Sequence, residues 1–186
     1  MRILVSGTHG MGKTTFIRDF VEKYPNYVFD EEPYYKIMDL GHIDPMVGLS
    51  LDQCLIQFKY SIEQLESYEN ENNLILDRCP IDFIAYGLCA AKEEDIDIRE
   101  TEFADYFDEV KELLTTFDLI SFIPITTEYP ILFTQENPNY RTQADINFKK
   151  LYRSDIYELL PNYAKPRIIE LIGSREKRIQ QIECYL

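Results

Sequence analysis

Positive charge is scarce in this 186-residue chain. Nineteen Lys and Arg stand against 33 Asp and Glu, giving a formal net charge of −14. A surface so negative repels phosphate backbones and anionic lipid unless its few cations cluster, so neither nucleic acid nor a membrane is an expected partner. The four cysteines (Cys54, Cys79, Cys89, Cys184) form no CxxC pair. That argues against a zinc site and a disulfide framework, and for reduced, buried thiols. No apolar run approaches the roughly 18 residues of a membrane span. The apolar opening before Gly7 lacks the length of a secretory h-region. Internal repeats and low-complexity linkers are also missing. What is present, 45% hydrophobic residues with 13% aromatics, is ample for a packed core. The expectation is one soluble, cytoplasmic domain over residues 1–186, with no sequence signal for its oligomeric state.

The acidity is unevenly spread. From Glu63 to Glu112 there are 16 acids and 4 bases, whereas from Arg141 to Leu186 there are 9 bases and 6 acids. One part of the protein can therefore hold an anion.

Along the chain, short apolar runs alternate with helical stripes. Residues 3–6 predict a buried strand and residues 7–12 a Gly-rich turn. Phe16, Ile17, Phe20, Val21 and Tyr24 then mark one helical face, stopped by Pro25. Residues 27–29 suggest a second strand. Ser50-Leu-Asp-Gln53 has the spacing of a capping box, opening a helix with Cys54, Leu55, Phe58, Ile62 and Leu65 on one side. Residues 74–76 form a third strand ended by Asp77, and Pro80 suits the first turn of the next helix. Phe103, Tyr106, Phe107, Val110, Leu113, Leu114 and Phe117 predict a single amphipathic helix carrying much of the acidic surplus. Residues 119–125 and 167–172 read as the last two strands. Thr142-Gln-Ala-Asp145 suggests another capping box, with a helix running to Pro161, and a closing helix starts at Ser174. This alternation predicts an α/β three-layer sandwich around a five-stranded, mostly parallel sheet.

The Gly-rich turn carries the most specific pattern. Gly7-Thr8-His9-Gly10-Met11-Gly12-Lys13-Thr14 fits GxxxxGK[ST] at each fixed position, and Thr15 follows inside the helix. Glycines let successive backbone N–H groups converge on phosphate at a helix N-terminus. Lys13 then reaches the β- and γ-phosphates, and the Thr14 hydroxyl is suited to Mg²⁺. The alternative, an incidental Gly-rich turn, does not explain why a strand precedes the pattern and an amphipathic helix follows it. Nucleotide binding in a P-loop NTPase fold is the expectation.

The guanine-reading NKxD tetrapeptide of GTPase switches is absent. Asp77 closes an apolar strand, and ligands of open α/β sheets bind at the carboxyl ends of strands. It is a candidate for Mg²⁺ or its water shell, and Arg78 supplies a planar cation for phosphate. The competing reading makes Asp77 a helix cap and Arg78 the partner of a surface acid.

Asp77-Arg78-Cys79-Pro80 resembles the signatures of P-loop nucleoside and nucleotide kinases (NMP kinase-like). The run from Asp77 to Tyr86 is similar to small AAA-like ATP-binding proteins related to nicotinamide riboside kinases. Asp30-Glu31-Glu32-Pro33 resembles the Glu-Pro that ends the second strand of deoxynucleoside kinases. The resemblance implies ATP and Mg²⁺ as cofactors and Glu32, with Glu31 as rival, as the base activating a nucleoside or nucleotide acceptor. The chain departs from the pattern in being short and in having Cys79 where Ser or Thr is usual. A helical lid over residues 126–142 is implied too. Arg141 or Arg153 would stabilise transferring charge, and these two lie about 18 Å apart on a straight helix. The stretch around Gly173 is similar to the adenine-side loop, where a glycine lets backbone approach the base. An ordinary turn with Ser174 as N-cap explains it equally. Gln57, Phe58, Tyr60 and Gln64 could line an acceptor site, although aromatics at such spacing also suit plain core. The rival from another class is a P-loop nucleotide-binding module that hydrolyses ATP slowly and signals to a protein partner.

Overall fold

Arg2–Ser6 forms β1, and all five of its residues are buried because layers pack on both faces of the strand. The protein is described here by a computed structural model covering residues 1–30, 50–129, 138–162 and 166–186. The other strands are β2 (Val28–Asp30), β3 (Leu74–Asp77), β4 (Leu119–Phe122) and β5 (Arg167–Glu170). They build one sheet in the order β2-β3-β1-β4-β5, with all four pairings parallel. Six α-helices surround it among the described residues: α1 (Lys13–Lys23), α2 (Leu51–Ser67), α3 (Pro80–Glu93), α4 (Phe107–Leu114), α5 (Pro138–Ser154) and α6 (Arg175–Glu183). No described helix is long and apolar enough to cross a membrane.

The two-residue period of a strand sorts the core into two layers. Ile3, Val5, Ile75 and Leu119 join Phe16, Ile17 and Phe20 of α1 and Ile182 of α6. Leu4, Leu76 and Ile120 face the opposite way, against Phe58 of α2, Phe83 of α3 and Phe148 of α5. Each large side chain so buried, Phe20 at 0% exposure among them, contributes about 1.5–3 kcal/mol. In the β1–β3 register Val5 lies opposite Asp77, so the chain leaving β1 and the chain leaving β3 emerge side by side at one edge of the sheet.

Three expected elements differ. The stripe from Phe103 to Phe117 is not one helix: two 3-10 turns (Ile98–Glu100 and Glu102–Tyr106) precede α4. Phe103 is drawn into the space over Gly87, where a Cβ would lie 3.0 Å from its ring, and it packs 4.8 Å from Phe58. The capping box at Thr142–Asp145 does not form, since α5 begins earlier, at Pro138. Asp145 instead accepts the Ile125 N–H at 2.8 Å and pairs with Lys149. That helix also ends at Ser154, short of Pro161. Of the stretch 126–142, residues 138–142 belong to α5 and residues 130–137 lie outside the described residues.

Candidate active site

The turn between β1 and α1 is built on left-handed backbone. Gly7, Gly10 and Gly12 have φ of 137°, 68° and 80°. At Gly7 the requirement is also steric, because a Cβ would sit 2.6 Å from the Ile123 carbonyl oxygen. Gly12 is the N-cap of α1 and brings no capping side chain, and no acid occupies the first turn. The positive end of the helix therefore faces the concavity of the loop, as anion binding requires. Lys13 is 5% exposed, and its ammonium donates to the Thr8 carbonyl at 3.1 Å, across the mouth of the turn.

Thr14 and Asp77 meet. The Thr14 hydroxyl donates to Asp77 Oδ2 at 2.6 Å, which leaves its lone pairs available to a cation. The donor set is one hydroxyl and one carboxylate, and among the described residues no cluster of three or more His, Cys, Asp or Glu could hold a metal by itself. Such a hard, sparse oxygen set fits Mg²⁺, which keeps waters and takes further ligands from substrate phosphates.

Arg78 has φ of 76°, a left-handed conformation that costs a non-glycine residue about 1–3 kcal/mol. The turn sends its guanidinium beneath the loop. There it donates to the Gly7 carbonyl and the Tyr86 hydroxyl at 3.3 Å and to Asp82 at 3.4 Å, and it lies over the Tyr86 ring. Its carboxylate partner is thus the buried Asp82 rather than a surface acid.

Asp82 had no role assigned from sequence, yet it gathers the corner. It accepts from Ser6 Oγ at 2.7 Å, from the Gly7 N–H at 3.4 Å and from the Cys79 N–H at 3.3 Å. Burial pushes its carboxyl above the ordinary value, although Arg78 and Lys13 both oppose this. Tyr152 of α5 donates to Ser6 Oγ at 2.7 Å, and burial holds its phenol and the Cys79 thiol protonated. Tyr86, also unassigned before, accepts the His9 N–H at 2.9 Å. The one available signal was spacing: Asp82 stands three residues after Cys79, and the two complete a capping box at the start of α3.

Arg141 and Arg153 are separated by their surroundings. Arg141 donates from Nε to the His9 carbonyl at 3.2 Å, with Nη2 2.9 Å from Met11 Sδ, so it lies against the loop. Arg153 makes a two-pronged pair with Glu170 of β5 at 2.7 and 2.9 Å and is half exposed. Gly173 has φ of 107° and precedes Ser174, whose hydroxyl caps α6 by accepting the Lys177 N–H. On α2, Gln64 and Tyr68 both donate to Asp30 Oδ2, at 3.0 and 3.1 Å. Gln57 turns back to the Gln53 carbonyl, and Phe58 is core. Glu31 and Glu32 lie outside the described residues. A crevice lined by Asp105, Asp108, Glu109 and Glu112 collects part of the acidic surplus and includes no residue of the loop.

Residues 2–157 match the model of a family described as "AAA domain". No curated protein matches the chain. Among solved structures, the deoxyadenosine kinase of M. mycoides with bound dATP has a TM-score of 0.69 at 18% identity, covering 100% of this chain and 98% of that one. The thymidylate kinase of Candida albicans has a TM-score of 0.62 at 18% identity, covering 98% and 91%. A NadR protein in complex with NR has a TM-score of 0.62 at 19% identity, covering 98% of this chain and 50% of the other. The chain therefore belongs to the AAA domain family and has the fold of the P-loop nucleoside and nucleotide kinases.

Proposed function

We propose that this protein is an ATP- and Mg²⁺-dependent kinase acting on a small acceptor, a nucleoside or nucleotide. The observation that carries the reading is the meeting of Thr14 with Asp77 at the mouth of the glycine loop, 2.6 Å apart. A phosphate cradle and a hard-oxygen pair for a divalent cation stand together there. The fold it shares with nucleoside and nucleotide kinases supports the choice of acceptor class.

In this reading the loop amides and Lys13 hold the β- and γ-phosphates, while Gly173 borders the adenine. Mg²⁺, held by Thr14 and Asp77, supplies charge neutralisation on the phosphates. With a nucleoside acceptor, Glu32, or its neighbour Glu31, takes the proton of the acceptor hydroxyl as that oxygen bonds to the γ-phosphorus. The bond from the γ-phosphorus to the bridging oxygen breaks, and ADP leaves. Arg141 stabilises the charge on the transferring group, and Arg78 shapes the loop from below. Little covalent work falls to the protein, so positioning and electrostatics carry the rate.

The test is product formation from ATP and Mg²⁺ with a panel of nucleosides and nucleotides, followed by chromatography. Transfer to one class of acceptor, lost in Lys13→Ala, is the expected result. Phosphate release indifferent to every acceptor overturns it.

A further inference from the structure

Arg178, in the first turn of α6, is 7% exposed, and its Nη1 donates to the Met11 carbonyl at 2.8 Å. Its Nε is buried without any hydrogen-bond partner. Among the described residues it pairs with no carboxylate, in a chain that carries 33 acids. Four other described arginines find one: Arg78 pairs with Asp82, Arg99 with Asp97, Arg153 with Glu170 and Arg175 with Asp19. Arg2, equally buried, donates to the carbonyls of Tyr68, Glu69 and Glu71 and feels the charge of Asp118. A buried guanidinium with no counter-charge is costly, and the cost is relieved when an anion arrives.

Its position says which anion. A Cβ at Gly12 would lie 3.4 Å from Arg178 Nη1, so the guanidinium flanks the last glycine of the loop, next to Lys13. Arg141 approaches Met11 through its sulfur and Arg178 through its carbonyl, one from α5 and one from α6. The loop thus has a second cation beside Gly12, apart from Lys13, which serves the β- and γ-phosphates.

We propose that Arg178 binds the donor nucleotide, its buried guanidinium pairing with the phosphate nearest the ribose beside Gly12. The inference rests on the reading of this protein as a kinase with a triphosphate donor. It makes Arg178 a residue with opposite effects on binding and on stability. Removing the charge weakens the nucleotide complex and relieves the nucleotide-free protein of an uncompensated cation.

Calorimetric titration of the full chain and of Arg178→Met and Arg178→Lys with ATP and with adenosine, alongside thermal melts without nucleotide, tests it. Arg178→Met is expected to bind ATP about 10- to 100-fold more weakly, the span of a lost charged hydrogen bond. Its adenosine affinity should not change, and its nucleotide-free melting temperature should be kept or raised. Arg178→Lys should fall between, and it carries the comparison if Arg178→Met does not fold. ATP affinity in the variants equal to that of the unaltered chain overturns this role alone. So does an equal loss for ATP and adenosine, because phosphate is then not what is read. An unaltered chain that binds no ATP overturns both this role and the kinase reading.

Discussion

Thr14 and Asp77 are 63 residues apart in sequence, yet the hydroxyl of one donates to the carboxylate of the other at 2.6 Å. The parallel register of β1 and β3 brings them together, since Val5 lies opposite Asp77 and the loop begins two residues later. Asp77→Asn keeps the size of the side chain and removes its charge. Mg²⁺ affinity of the nucleotide complex should fall about 10- to 100-fold. Nucleotide binding without metal should stay unchanged. Titration of Mg²⁺ against transfer rate, beside metal-free binding, separates the two effects.

Gly7 offers a sharper steric test. An added methyl would meet the Ile123 carbonyl oxygen at 2.6 Å, and φ of 137° is closed to an L side chain. Backbone strain alone is worth roughly 1–3 kcal/mol. Because the carbonyl belongs to the chain leaving β4, relief requires moving the loop. Gly7→Ala should therefore lower stability by at least that amount in urea unfolding and abolish nucleotide binding in whatever fraction folds.

Fixed-spacing signals were legible in the sequence and distant ones were not. Gly7 to Thr14 and Asp77 read correctly as a loop and a strand end, because glycine, strand period and helix period act locally. The capping box at Ser50 formed for the same reason. The helix expected over residues 103–117 broke because its fate depended on Gly87, which leaves room across the layer for Phe103. Arg178 could not be singled out, since the helix periodicity around it is silent about Met11, 167 residues away. Asp82, Ser6 and Tyr152 come from three separate stretches of the sequence, and only packing makes them a hydrogen-bonded chain.

Asp82 should matter for stability and its dependence on pH. Asp82→Ala strips Arg78 of its buried partner, which typically costs about 3–5 kcal/mol. Burial raises the Asp82 pKa above its ordinary 3.8, so the folded state holds this proton more tightly than the unfolded one. The stabilisation from that proton is complete below 3.8 and fades as pH rises towards the raised folded value. The difference in unfolding free energy between the unaltered chain and Asp82→Asn should decline over that window and level off above it. Denaturant titrations at several pH values would reveal a rising difference if the sign were wrong.

The four thiols should divide three to one. Cys54, Cys79 and Cys89 are buried, and Cys184 is exposed. Burial pushes the Cys54 thiol up to about 12 and that of Cys89 to about 11, and it raises Cys79 well above the usual range. Thiolate is the reactive form, so these three should resist alkylation in the native protein at about pH 8. Mass spectrometry after brief iodoacetamide treatment should find one label, on Cys184, and four after denaturation.

Two arginines on one helix should differ in their effect on turnover. Arg153 spends its guanidinium on Glu170 at the surface, a pair worth about 0–1 kcal/mol. Arg141 reaches the His9 carbonyl and the Met11 sulfur, inside the loop that would hold the phosphates. Charge placed where it meets the transferring group acts on the rate, and its removal typically costs about 10²- to 10³-fold. Arg141→Ala should therefore lower the turnover of phosphoryl transfer by that order while leaving the melting temperature close to that of the unaltered chain. Arg153→Ala should leave turnover unchanged. The lid role would move from Arg141 to Arg153 if the two variants exchanged these results.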